Sequence, residues 1–209
     1  MTFICPTITA STINEYNAQL STIQPFAERI HIDIMDGNLA PTVSPPLKEL
    51  PIPRGKVVAI HVMYQQPQEL TQELIAIKPN MVIIHAEATV DLPLFATHMR
   101  EAGIQTGLAL LPETNVESVA SWLPHIQHVL IFGGHLGYHG GDADLTQLGK
   151  VAQLKQYARY LSFGYDGGAN LSNVGIIKDA GVEVINVGNA IHTAVDPSTA
   201  YAQLVNNVS

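Results

Sequence analysis

The stretch Arg29-Ile30-His31-Ile32-Asp33-Ile34-Met35-Asp36-Gly37 decides the fold. Side chains of an extended strand alternate between two faces, so Ile30, Ile32 and Ile34 share one face and His31, Asp33 and Met35 the other. Three isoleucines on one face call for an apolar cover such as a layer of helices. The opposite face carries an imidazole and a carboxylate two residues apart, and a buried face tolerates that pair only when it is hydrogen-bonded, ion-paired or coordinated. For this segment alone two readings stand side by side: a neutral histidine bonded to a core carboxylate, and part of a metal site.

Working outward, a short β-branched run followed by a helical pattern recurs along the chain. Strands are predicted at 3–6, 29–34, 57–62, 81–85, 105–110, 127–132, 161–165 and 183–187. Helices are predicted at 12–24, 67–77, 92–102, 114–120, 145–157, 170–179 and 196–206. The segment 37–50, GNLAPTVSPPLKEL, is proline-rich and reads as a long loop with at most a short helix. Alternation of strand and helix implies a parallel sheet. Eight such repeats in 209 residues favour a closed (β/α)8 TIM barrel, one domain spanning 1–209, over an open doubly wound sheet. The first strand–helix turn lacks G-x-G-x-x-G, which argues against the dinucleotide-binding form of the open sheet.

Composition narrows the function classes. The chain is 46% hydrophobic and 13% charged, the balance of a chain that folds around a core rather than a disordered one. Its net charge is −8, and its 10 Lys and Arg form no basic run, so neither nucleic acid nor an anionic membrane is expected as a partner. A phosphorylated ligand would have to be held largely by backbone N–H groups and helix N-termini. Cys5 is the single cysteine, which excludes an intrachain disulfide and suits a reducing compartment. The opening MTFICPTITAST lacks the basic region and long apolar run of a signal peptide, and no stretch approaches the ~20 apolar residues that span a bilayer. A cytoplasmic protein is expected.

Polar residues of a barrel interior belong at the carboxyl ends of the strands, where such barrels place their active sites. Other strand ends carry them here. The third, Val57-Val58-Ala59-Ile60-His61-Val62-Met63, turns His61 and Met63 inward. The fourth ends Ile83-Ile84-His85-Ala86-Glu87, adding another inward histidine, and the seventh ends Tyr165-Asp166-Gly167-Gly168. Imidazoles and carboxylates converging from several strands suit one borderline divalent ion, Zn, Fe(II), Mn or Co, with positions left for substrate oxygens. Convergence weakens the alternative of isolated core histidines, because each buried polar group would otherwise need its own partner.

These motifs resemble the ribulose-phosphate 3-epimerase family: Pro-Ser-Ile near the start, H-x-D-x-M-D-G, H-x-M, H-x-E-A and D-G-G, in that order. Here they read Pro6-Thr7-Ile8, His31 to Gly37, His61-Val62-Met63, His85-Ala86-Glu87-Ala88 and Asp166-Gly167-Gly168. The resemblance implies a ribulose-phosphate-binding TIM barrel whose metal ligands are His31, Asp33, His61 and Asp166. Asp33 and Asp166 would form the acid/base pair, one on each face of the sugar. Thr7, Met35, Met63 and His85 would contact substrate, with Gly167, Gly168, Gly188 and Asn189 cradling its phosphate. The implied reaction is epimerisation at C3 of a phosphorylated ketose, by default D-ribulose 5-phosphate to D-xylulose 5-phosphate, in a homo-oligomer.

The chain departs from the family pattern around the rim. The family lid after the sixth strand reads close to M-T-V-x-P-G-F-G-G-Q, whereas this chain has Phe132-Gly133-Gly134-His135-Leu136-Gly137-Tyr138-His139-Gly140-Gly141. Gly137, Tyr138 and Gly140 keep the outline of the lid and are expected at the substrate; His135 and His139 are new and read as lid residues near the ligand or solvent-facing loop histidines, with a second metal site as the alternative. Asn38-Leu39-Ala40-Pro41-Thr42 replaces His-Phe-Val-Pro-Asn, and Leu110-Leu111-Pro112 stands where Leu-Asn-Pro is common. An intact metal and acid/base core inside an altered rim points to a kept reaction type, with another ketose phosphate such as a hexulose 6-phosphate as an alternative substrate. A non-catalytic phosphosugar-binding paralogue is a further alternative. The hexulose-phosphate synthase and decarboxylase group, with D-x-K-x-x-D on a strand, is disfavoured because Met35 occupies the lysine position. His98, His125, His128 and His192 belong to no constellation and are expected to be structural or at the surface.

Overall fold

In the computed structural model, eight parallel strands close into a barrel in chain order, β1 pairing with β8 to complete the ring. They are β1 (Phe3–Ile8), β2 (Arg29–Met35), β3 (Val57–Met63), β4 (Met81–His85), β5 (Gln105–Leu110), β6 (His128–Phe132), β7 (Ser162–Asp166) and β8 (Val184–Val187). The helices are α1 (Ile13–Ile23), α2 (Thr71–Ile77), α3 (Leu92–Glu101), α4 (Gly149–Tyr157), α5 (Val174–Asp179), α6 (Asn189–His192) and α7 (Pro197–Val208). The structure describes residues 1–138 and 140–209, so the lid reading for His139 lies outside the described residues.

Alternation along each strand divides the apolar side chains into layers. Ile30, Ile32 and Ile34 of β2, with Val58, Ile60 and Val62 of β3, face outward into the large core shared with the helices. Inside the barrel, Ile83, Ala109 and Leu130 form one small cluster and Met35, Met63 and Ala40 another, the second covered by Leu136. Helix starts are fixed locally. Thr12 and Glu15 form a reciprocal capping box at α1, and Asp91 and Asp196 cap α3 and α7.

Each predicted strand is present. Several helices differ from the periodic reading. The segment predicted as a helix at 114–120 is a 3-10 helix, Val116–His125; its buried Val116 and Val119 are three apart, the repeat of that tighter helix. The 67–77 and 145–157 patterns each begin with a 3-10 turn, Pro67–Leu70 and Leu145–Leu148, before α2 and α4. The short α6 was not expected. Among the described residues no helix is long and apolar enough to cross a membrane.

His128 shows how the barrel interior accommodates a ring. It is buried on β6, and its Nδ1 lies 2.8 Å from the hydroxyl of Ser162. A Cβ at Gly164 would meet its Nε2 at 2.6 Å, and one at Gly107 would lie 3.4 Å from its ring. Glycine at both places makes the space.

Candidate active site and metal centre

At the carboxyl end of the barrel the interior faces of β2, β3 and β7 converge. Register places Asp33 beside His61 on adjacent strands. Nε2 of His31 is 3.3 Å from Oδ1 of Asp33 and 3.4 Å from Oδ2 of Asp166, and Nδ1 of His61 is 2.9 Å from Oδ1 of Asp33. One donor atom from each of the four residues lies within 4.8 Å of all the others. Metal–ligand bonds of about 2.0–2.2 Å put opposite donors about 4.4 Å apart and adjacent ones closer, so small inward adjustments suffice to hold one ion. Two imidazoles and two carboxylates are also the right donor chemistry for a borderline divalent ion. The residues fit the group.

For the side chains by themselves, the proximities favour charge. Burial opposes protonation of His31, but hydrogen bonds with Asp166 and Asp33 outweigh it and push its pKa up to about 9. Burial likewise opposes ionisation of Asp33, and His31 and His61 reverse this and hold its carboxyl well below the usual carboxylate range. Oδ2 of Asp33 accepts a hydrogen bond of 2.5 Å from the Thr9 hydroxyl. The amide nitrogen of Asn186 lies 3.1 Å from Nδ1 of His31 and 3.3 Å from Oδ2 of Asp166, tying β8 to β2 and β7.

Above this centre opens a cavity. Of the expected residues, Thr7, Asp33, Met63, Gly137, Tyr138, Gly140, Asp166, Gly167, Gly168, Gly188 and Asn189 line it. Thr7 Oγ1 is buried without a hydrogen-bond partner among the described residues. No Lys or Arg is among the lining residues, so an anionic group here meets peptide groups instead of side-chain cations. The backbone folds close to provide them: Gly167 has φ +111°, and a Cβ on Gly134 would lie 2.7 Å from the Cα of Gly167. Thr42 ties the lid to the loop after β2, donating to the carbonyl of Gly137 across 2.8 Å.

The remaining expected residues stand elsewhere. His31 and His61 belong to the ligand cluster beneath the cavity. Met35 packs below, with Met63, Ala40 and Leu136. His85, expected to contact substrate, does not line the cavity; it is fully buried behind His61, their Nε2 atoms 2.8 Å apart. Alternation tells that His85 points inward, but not that His61 stands between it and the cavity. Behind His85, Oε2 of Glu87 lies 3.1 Å from Nδ1. Burial lowers the pKa of His85, against a smaller upward pull from Glu87.

Sequence reasoning missed Thr9 and Asn186, which line the cavity, as do Phe132 and His135 of the altered lid. Alternation counted from Thr7, which the Pro6-Thr7-Ile8 motif singles out, reaches Thr9, and alternation turns the single polar residue of Val184-Ile185-Asn186-Val187 inward.

Fold and site together define a (β/α)8 barrel with a metal-competent His/Asp centre under a glycine-rimmed cavity whose described lining holds no Lys or Arg. The chain belongs to the ribulose-phosphate 3-epimerase family, whose sequence profile matches residues 3–192. It is 28% identical to the ribulose-phosphate 3-epimerase of Mycobacterium leprae (strain TN) over 212 residues, covering 96% of this chain and 92% of that protein. It is 25% identical to that of Bacillus subtilis (strain 168) over 192 residues, covering 85% and 86%. Among solved structures, the 3-keto-L-gulonate-6-phosphate decarboxylase of Vibrio cholerae superposes with a TM-score of 0.71 at 10% identity, covering 99% of this chain and 97% of that one. A 3-hexulose-6-phosphate synthase gives 0.67 at 16% identity, covering 99% of each chain. At such identities these structures share the barrel and say nothing of the chemistry.

Proposed function

We propose that the protein is a metal-dependent 3-epimerase of a phosphorylated ketose, with D-ribulose 5-phosphate as its default substrate. The observation that carries this reading is the placement of two carboxylates, Asp33 and Asp166, from strands β2 and β7, in one cavity and one metal-competent cluster. His31, Asp33, His61 and Asp166 would hold the ion, which when bound supplies Lewis-acid stabilisation of negative charge developing on the ketose oxygens.

The rest is the work of this chain's own residues. Inverting a stereocentre beside a ketone needs a base on one face of the carbon and an acid on the other. With one of the two carboxyls ionised and one protonated, Asp33 and Asp166 exchange those roles with the direction of reaction. His31 stands between them, its Nε2 3.3 Å from Oδ1 of Asp33 and 3.4 Å from Oδ2 of Asp166. Thr9 fixes the carboxylate plane of Asp33, and the unpartnered hydroxyl of Thr7 is available to a sugar oxygen. Met63 and Phe132 keep the floor dry. Peptide groups around Gly167, Gly168, Gly188 and Asn189 receive the phosphate.

One observation favours a different ketose phosphate as second reading: Phe132 and His135, where the chain departs from the family lid, both line the cavity. The deciding experiment loads the protein in turn with Zn, Fe(II), Mn and Co and incubates it with D-ribulose 5-phosphate in D2O. Deuterium at C3 together with xylulose 5-phosphate is expected. Turnover of a hexulose 6-phosphate alone would move the assignment to the second reading. Metal-loaded protein inert toward a panel of ketose phosphates would overturn it in favour of a binding paralogue.

A further inference from the structure

Behind the metal-competent centre runs a chain of hydrogen bonds that ends away from the cavity, in the loops after β4 and β5. Its outer end is unambiguous. The backbone N–H of Leu111 can only donate, and it points at Oε1 of Glu87 across 3.1 Å. The Thr114 hydroxyl bonds to the same oxygen. The other oxygen, Oε2, lies 3.1 Å from Nδ1 of His85. Nε2 of His85 lies 2.8 Å from Nε2 of His61, and Nδ1 of His61 lies 2.9 Å from Oδ1 of Asp33.

We infer that Glu87 and His85 are positioning residues that commit Nε2 of His61 to donate into the relay behind it, so that Nδ1 is the nitrogen turned to a metal ion. The inference rests on the metal reading of His31, Asp33, His61 and Asp166 and extends it to residues that touch no ion. An ionised carboxylate accepts and never donates, so the nitrogen of His85 facing it is Nδ1–H. A neutral His85 then has a bare Nε2. Two imidazole nitrogens 2.8 Å apart need one proton between them, so His61 donates through Nε2–H. Its Nδ1 is then the nitrogen that faces Asp33 Oδ1. At 2.9 Å those two atoms are spaced to share one proton in the metal-free chain, or to serve as two donors to one ion when it is bound. Glu87 therefore acts at two removes, as partners behind a metal ligand do when they set its tautomer.

The chain makes one side chain decisive. Glu87→Gln keeps size and shape, but Leu111 N–H still demands an oxygen, so the amide NH2 must turn to His85 and donate to Nδ1. His85 then carries its proton on Nε2, His61 Nε2 becomes the acceptor, and the one proton of neutral His61 is confined to Nδ1, where an ion must compete with it. Thr114→Val removes a hydrogen bond from Glu87 without changing any tautomer.

The test reads both ends of the chain. Ring-nitrogen NMR of 15N-histidine-labelled, metal-stripped protein should show the parent and T114V with His85 protonated at Nδ1, and E87Q with His85 protonated at Nε2. Competition with a chromophoric chelator should show Zn²⁺ bound about 10–100-fold more weakly by E87Q and within a few-fold of the parent by T114V. Thermal unfolding of the metal-stripped variants checks that E87Q folds as T114V does. A parent protein with His85 protonated at Nε2 would overturn the inference, as would an E87Q variant with parental zinc affinity. Failure of the parent to bind zinc would overturn the metal reading itself, and the metal-free spectrum would still decide the tautomers.

Discussion

The hydroxyl of Thr9 donates to Oδ2 of Asp33 across 2.5 Å, while Oδ1 of the same carboxylate faces His31 and His61. Thr9 thus holds the plane of a proposed base whose other oxygen is committed to the metal side. A hydrogen bond to a charged group contributes about 1.5–3 kcal/mol. Thr9→Val should lower kcat roughly 10- to 100-fold with a smaller change in KM, and Thr9→Ser should restore most of it. Steady-state kinetics of the two variants check this; a T9V variant within twofold of the parent would remove Thr9 from the mechanism.

Asp33→Asn and Asp166→Asn should each lower epimerisation by about a thousandfold or more, in the range assigned to positioned acids and bases. The fold should persist, since each change keeps side-chain volume. In D2O, a variant that retains its metal should still exchange the C3 hydrogen of one epimer, through the carboxylate left in place, without forming the other. D33N and D166N should exchange opposite epimers. Exchange of both epimers by either variant would sink the two-base scheme.

Burial, with smaller effects from His31 and Arg29, pushes the pKa of His128 down to about 3. Unfolding releases it to its ordinary value near 6.5. Between those values the unfolded chain binds more protons than the folded one, so the contribution of His128 is complete above pH 6.5 and is lost as pH falls toward 3. The slope is at most about 1.4 kcal/mol per pH unit. His31, raised to about 9, acts with the opposite sign: its contribution is complete below pH 6.5 and is lost as pH rises through 9. The difference between the parent and His128→Gln in urea unfolding, at pH 7, 6, 5 and 4 with chelator present, isolates the first effect. Parallel curves would contradict it.

The loops after β6 and β7 touch backbone to backbone at Gly134 and Gly167. A methyl at Gly134 must push them apart, at a cost of roughly 1–3 kcal/mol. Gly134→Ala should lower the unfolding temperature by several degrees and raise KM for the sugar phosphate about tenfold. Zinc affinity should hold, because no donor atom of the cluster belongs to either loop. Loss of zinc binding in G134A would show that cavity rim and metal centre are one mechanical unit.

The barrel was legible because strand alternation is local: Ile30, Ile32 and Ile34 against His31, Asp33 and Met35 need only neighbours in sequence to be read. The four candidate donors were legible for the same reason, each standing on the inward-facing parity of its strand. Parity gives direction without depth: it tells that His85 points inward, but not that it stands behind His61 instead of at the substrate, where the resemblance put it. The partners of Glu87 were invisible, because Leu111 and Thr114 lie in another loop and one of them contributes only a peptide N–H. Thr9 and Asn186 were passed over because a threonine or an asparagine belongs to no motif until its neighbours in space are known. The 3-10 helix at Val116–His125 differs from an α-helix by less than one residue per turn, too little to separate in so short a run.

A cavity without Lys or Arg, in a chain of net charge −8, has a consequence for how a sugar phosphate arrives. At long range the protein would repel the dianion of the proposed substrate, and attraction would begin only close to a bound metal and the peptide dipoles. Enzymes that steer anions with basic funnels lose encounter rate as ionic strength rises. Here the screened field is the unfavourable one, so moderate salt should speed capture while leaving the contacts deep within the cavity largely unscreened.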